Sequence, residues 1–163
     1  MITVTILGCG GSAGVPLIGG ADGRGEWGAC DPNEPRNRRT RSSILIEGDQ
    51  GQRLLVDAGP DMRAQFLAAG IGAVEAILFT HHHADHVMGT DETRVLNRIT
   101  GKPLPIYGMA RTLDNLKQRF DYAFLPAVGP WFSAPPWKRP RSRPATRWRL
   151  PGCPSRCSAR ITR

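Results

Sequence analysis

The sequence predicts an α/β fold from three observations. A run of alternating β-branched and apolar residues opens the chain. A two-strand hairpin signal follows, and beyond Pro60 helical stretches alternate with short apolar runs. Strands first and strand–helix alternation afterwards call for one sheet with helices packed on it.

Residues 2–8 (Ile2-Thr3-Val4-Thr5-Ile6-Leu7-Gly8) read as the first strand. Nine glycines lie between Gly8 and Gly28, so Gly8–Arg41 reads as a long loop, of the kind that carries function rather than filler. Ser42–Glu47 and Gln52–Asp57 form two strands around Gly48-Asp49-Gln50-Gly51, a hairpin. Pro60-Asp61 opens a helix with Met62, Phe66 and Ala69 as its apolar positions, and Gly70 stops it. Ala76–Thr80 is a short continuous apolar run, as a buried strand requires. Asp91–Thr100 and Ala110–Phe120 read as helices, the second with Leu113, Leu116 and Phe120 on one face, and Leu104–Tyr107 is a strand between them.

The 163 residues are 40% apolar and 22% charged, about one domain's worth of chain. No apolar run approaches the roughly 20 residues that span a bilayer, and the N-terminus lacks a basic signal region, so a cytoplasmic protein without membrane contact is expected. Four cysteines (Cys9, Cys30, Cys153, Cys157) are too few for a disulfide framework and read as reduced thiols. The net charge of +8 is unevenly distributed: residues 1–126 hold 13 Lys/Arg and all 14 Asp/Glu, whereas 127–163 hold nine Lys/Arg and no acid. That last stretch also holds seven Pro and three of the four Trp. It is open to two readings, a basic, Trp-interleaved arm for nucleic-acid phosphates, or a disordered or non-native end such as a reading-frame error would produce. The second is the expectation, because composition changes abruptly after Pro126 and no folding motif replaces what is lost. Nucleic acid is thus a possible but not a favoured partner.

All four histidines lie within six residues, Thr80-His81-His82-His83-Ala84-Asp85-His86. Imidazoles crowded in this way must stay neutral or repel unless a cation draws them in. At the end of a buried strand the alternate residues His81 and His83 can offer two nitrogens to one metal ion. Asp85 and His86, where the chain turns, can offer a carboxylate and an imidazole to a second. His82 is the odd member and is expected to point away.

The His-x-His-x-Asp-His pattern, set after an apolar strand and before Gly89, resembles the signature of the metallo-β-lactamase superfamily. Leu7-Gly8-Cys9-Gly10-Gly11-Ser12-Ala13-Gly14-Val15-Pro16, Trp27-Gly28-Ala29-Cys30-Asp31-Pro32, Arg36–Ser43, Asp57-Ala58-Gly59-Pro60-Asp61, His86–Arg94 and Pro105-Ile106-Tyr107-Gly108 resemble its phosphoribosyl 1,2-cyclic phosphate phosphodiesterase branch. The resemblance covers residues 2–126. It implies the N-terminal half of an αββα sandwich, two divalent metal ions (zinc first, manganese second), and hydrolysis of a small phosphorylated substrate, a cyclic sugar phosphate. A tRNA 3′-processing endonuclease or a thioester or lactone hydrolase shares the same metal signature and is the alternative; a non-enzymatic protein gripping nucleic acid through its basic end is a further one.

The remaining residues keep two readings each. Gly8–Gly14 can bring backbone N–H groups close to a phosphate, or be a plain tight turn. Arg38, Arg39 and Arg41, with Arg36, can hold substrate phosphate, or form a solvated basic loop. Asp57 can orient a ligand histidine, or cap a helix. Asp85 can also take up a proton beside the nucleophile. Cys30 falls where relatives carry several cysteines binding a structural zinc, and this chain has one. The superfamily completes its site with a third histidine for the first metal, a bridging aspartate, and a further histidine for the second, all from the other half of the fold. This sequence has no histidine after His86 and no acid after Asp121. The resemblance therefore implies an incomplete ligand set, and a polypeptide that is inactive on its own.

Overall fold

A computed structural model of the chain describes residues 1–125, together with a two-residue ladder of Trp148–Arg149 on Ser158–Ala159. The expectation of a disordered or non-native tail therefore falls outside the described residues.

Five strands form one mixed sheet in sequential order. β1 (Thr3–Gly8) pairs antiparallel with β2 (Ser43–Glu47), and β2 pairs antiparallel with β3 (Arg53–Val56). The turn between them closes where Gly48 N–H donates to Gln52 O at 2.8 Å, and Gly51 supplies the left-handed φ of +80° that the reversal needs. The chain then crosses over through α1 (Met62–Ala69) to β4 (Ala76–Leu78), parallel to β3. A second crossover carries α2 (Ala84–Val87) and α3 (Thr93–Thr100) and leads to β5 (Ile106–Tyr107), parallel to β4. α4 (Ala110–Arg119) follows.

Side chains alternate across a strand, so the register sorts the sheet into two faces. Leu45, Leu55, Ile77 and Ile106 are cross-strand neighbours, and all are at most 2% exposed. Against this row the helices place Met62 and Phe66 (α1), Leu96 (α3) and Leu113 and Leu116 (α4). The other face is apolar as well, through Ile6, Ile44, Val56, Leu78 and Tyr107 in one row and Val4, Ile46 and Leu54 in the next. There Ile6 and Val4 are exposed. No helix among the described residues is long and apolar enough to cross a membrane.

Every expected strand and helix is present, with ends shifted by one or two residues. One detail differs. Ala69 is exposed, and Gln65 takes its place in the buried face of α1 because its Nε2 donates to Thr40 Oγ1 and Arg41 O, both at 2.9 Å. Asp61 opens α1 as expected, with no side-chain cap hydrogen bond. Its carboxylate instead holds Arg41. Gly70 stops the helix in the left-handed region, with φ +66°.

The long loop is folded onto itself rather than open. Gly10 N–H donates to Thr40 O at 2.7 Å, and Val15 and Arg39 exchange both backbone hydrogen bonds at 2.9 Å. These pairings pin the glycine-rich turn against the start of β2.

Candidate metal centre

The chain leaves β4 through buried Phe79 and reaches the histidines at the carboxyl end of a parallel strand. His81–His83 is followed at once by α2, with His83 at its N-cap in an extended conformation. This single turn is the element that periodicity could not register, since four residues carry no repeat. It folds Asp85 and His86 back over the strand end: His86 N–H donates to His83 O at 3.0 Å. The rings of His81 and His83 lie 4.6 Å apart, those of His81 and His86 4.0 Å apart, and His86 Nε2 lies 3.2 Å from Asp85 Oδ2. His82 stands 5.6 Å from the His83 ring, and its carbonyl accepts from Arg119 Nη1 at 3.0 Å.

Beneath this cluster sits Asp57, just past β3 and 4% exposed. Its Oδ1 accepts from Thr80 N–H at 2.8 Å, and its Oδ2 accepts from Thr80 Oγ1 and faces His86 Nδ1, each at 2.7 Å. Among non-glycine residues only Asp57 is described with a positive φ, +62°. Held in a conformation that L side chains rarely adopt, it turns its carboxylate toward the histidine strand instead of along β3. Thus Asp57 contacts His86 and makes no helix cap.

The two segments are laced by backbone. Ala58 N–H donates to His86 O at 2.9 Å, and Gly89 N–H donates to Ala58 O at 2.8 Å. A Cβ on Gly59 would overlap the Asp85 carbonyl, and one on Gly89 would overlap the Gly59 carbonyl. Gly89→Ala is therefore expected to cost about 1–3 kcal/mol, because rigid backbone rather than a flexible side chain must give way. Chemical denaturation measures that cost. A change below a few tenths of a kcal/mol would show that the lacing is slack.

Electrostatics prepare the same donors. Partial burial, then the neighbouring His86 and His83, hold the His81 imidazole below its ordinary pKa. Burial raises the Asp85 carboxyl, but a hydrogen bond from Ser12, one from its own backbone, and the nearby His86 and His81 outweigh it and leave the pKa lowered. Neutral imidazole and ionised carboxylate are the forms that bind metal. Ser12 was not legible as a site residue, since nothing in a glycine-rich turn marks one serine.

The arginines do not share one role. Arg41 is committed to Asp61, through Nη1 at 2.6 Å and its backbone N–H at 2.8 Å, and its Nε reaches Ser12 O at 3.4 Å. It supports the turn that touches Asp85. Arg38 stacks over Trp27 at 4.8 Å, and Arg36 pairs with Glu34, whose pKa that hydrogen bond holds down at about 2. Arg39 contributes its backbone to the loop, and its side chain, like that of Arg38, lies on the exposed surface. Cys30 is a half-buried free thiol, and Cys9 an exposed one.

Among the described residues no three His, Cys, Asp or Glu side chains converge as a complete metal-binding group. The donors nonetheless fit a divalent ion in type. Asp57 takes the Nδ1 side of His86, which leaves Nε2 bare in the neutral ring, and a bare nitrogen 3.2 Å from a carboxylate oxygen is two acceptors face to face. A divalent ion between them would satisfy both. The separation matches two ligands of one tetrahedral ion with bonds of about 2.0–2.2 Å.

A mixed sheet with helices against one face, and a His-x-His-x-Asp-His cluster at the end of its fourth strand, define the class: half of a metallo-β-lactamase fold. The chain belongs to the β-lactamase superfamily, whose domain profile matches residues 52–149. That match runs past Pro126, where the sequence resemblance stops. An octanoyltransferase of Porphyromonas gingivalis is 39% identical over 119 residues, 73% of this chain and 23% of that protein. A ribonuclease Z of Bradyrhizobium is 42% identical over 85 residues, 49% of this chain and 28% of that one. Among solved structures, a diphosphatase from the PhnP family has a TM-score of 0.64 at 38% identity, covering 76% of this chain and 49% of that chain. Zinc-bound PqqB from Methylobacterium extorquens has a TM-score of 0.54 at 26% identity, covering 72% and 40%. The chain spans about half the length of the solved diphosphatase and about a quarter of the two curated relatives.

Proposed function

We propose that the chain carries half of the active centre of a metal-dependent hydrolase that cleaves a phosphodiester in a small, cyclic sugar phosphate. The observation that carries this reading is the arrangement of His81, His83, Asp85 and His86 at one strand end, with Asp57 beneath His86 leaving its Nε2 for a ligand. His81 and His83 would hold one divalent ion, zinc or manganese, and Asp85 with His86 a second. When bound, such ions bring the pKa of a water close to neutrality and polarise a phosphoryl oxygen. Asp85, held by Ser12, would be the group to take up a proton there. Exposed Arg38 and Arg39 supply the cations for substrate phosphate, while Arg41 keeps the glycine-rich turn in place. Likeness to a diphosphatase supports phosphorus-centred chemistry in general.

The test is hydrolysis of bis(p-nitrophenyl) phosphate, with zinc or manganese, by the chain and by the chain joined to the second half of the similar diphosphatase. Turnover that His83→Ala removes is the expected result. No turnover in either form sinks the reading. The similarity to ribonuclease Z favours a second substrate, an RNA backbone. RNA binding would weaken steeply with salt, whereas a sugar phosphate meets few cations and would show a shallow dependence.

A further inference from the structure

We propose that Thr80 is a positioning residue that fixes the tautomer of His81, so that one buried carboxylate, Asp57, governs the rings of both His81 and His86. The inference follows from counting protons. As a carboxylate Asp57 accepts and never donates, so Thr80 Oγ1, 2.7 Å from Asp57 Oδ2, must spend its single proton there. The same hydroxyl lies 3.0 Å from His81 Nδ1. With its proton already committed, Thr80 Oγ1 can only accept in that contact, and the ring must donate. His81 is thereby held with its proton on Nδ1 and its Nε2 bare. His86 reaches the same state directly, because Nδ1 faces Asp57 Oδ2 at 2.7 Å. The Thr80 backbone N–H occupies the remaining carboxylate oxygen at 2.8 Å and fixes the hydroxyl in place.

The arrangement gives two histidines matching bare nitrogens from a single acid. A free histidine side chain prefers its proton on Nε2, so without the relay His81 would present N–H where a cation should bind. Second-layer partners of this kind are worth about 10–100-fold in metal affinity. Nothing in the residue pattern marks Thr80 beyond its place between the apolar run and the first histidine.

The inference rests on the reading of His81 as a ligand, and the test separates the two. Ring-nitrogen chemical shifts of His81 are measured by long-range ¹H–¹⁵N spectroscopy in the metal-free chain at pH 8, for the natural chain, Thr80→Val, Thr80→Ala and Thr80→Ser. The natural chain and Thr80→Ser are expected to carry the proton on Nδ1. Thr80→Val and Thr80→Ala are expected to shift it to Nε2, with Val keeping the shape of Thr and Ala providing the measurement if Val disturbs the fold. Zinc affinity should fall about 10–100-fold in Val and Ala and return in Ser. A natural chain protonated on Nε2, or Nδ1 protonation that survives in Val or Ala, overturns the inference. The expected tautomers without zinc binding in any chain would overturn the metal reading alone and leave the Thr80 relay standing.

Discussion

Replacing Asp57 with Ala is expected to destabilise the protein by about 1.5–3 kcal/mol, the range for losing hydrogen bonds to a charged acceptor. Three donors lose their acceptor at once: the Thr80 backbone N–H, the Thr80 hydroxyl and His86 Nδ1. The first of these lies in the tight junction between β4 and the histidines. Alanine would also inherit a φ of +62° without the short polar side chain that makes this conformation tolerable for Asp. Urea denaturation measures the loss, and a cost under about 1 kcal/mol would show that Asp57 is not the platform described here. Asp57→Asn separates fold from chemistry. Its amide keeps the shape and one acceptor oxygen but brings N–H groups toward His86, so His86 must accept at Nδ1 and move its proton to Nε2. A modest stability change with a protonated Nε2 on His86 is the expected pair of results.

The second large effect concerns metal. Elemental analysis of the zinc-loaded chain after exhaustive dialysis is expected to find at most about one ion per chain, removed by a chelator and absent from His81→Ala/His83→Ala. The reason is ligand number. The described residues offer two imidazoles for one ion and one imidazole with one carboxylate for the other, and structural or catalytic zinc is held by three or four protein ligands. Of the pairs, His81 with His83 is the better, since two imidazoles suit zinc more than one imidazole and a carboxylate. Two tightly retained ions would show that other donors, Asp57, Cys30 or the cysteines at 153 and 157, complete the site. Were Asp57 that donor, it could not also serve as the platform of both rings.

Val4, Ile6, Ile44, Ile46, Val56 and Leu78 lie on the side opposite the helices, and Ile6 is 67% exposed. Exposed Val4 and Ile6 on this face favour association between copies. Low protein concentration is therefore part of any stoichiometry measurement.

What the sequence determined by itself was local. The alternation in residues 2–8, the glycines around the hairpin, Gly70 after α1 and the spacing of Leu113, Leu116 and Phe120 are each set within a few residues. They are legible because strand and helix periods act over that range. The candidate donors were legible too, because His81, His83, Asp85 and His86 are neighbours in the chain. Tertiary structure alone decided the partners. Asp57 meets Thr80 and His86 from 23 and 29 residues away, Arg41 meets Asp61 across 20, and Gln65 is buried by reaching Thr40 across 25. No periodicity reports such pairings. A carboxylate that could cap a helix and one that orients a histidine look alike in sequence, and they are separated only when the sheet brings β3 and β4 side by side and a left-handed φ turns Asp57 toward the ring.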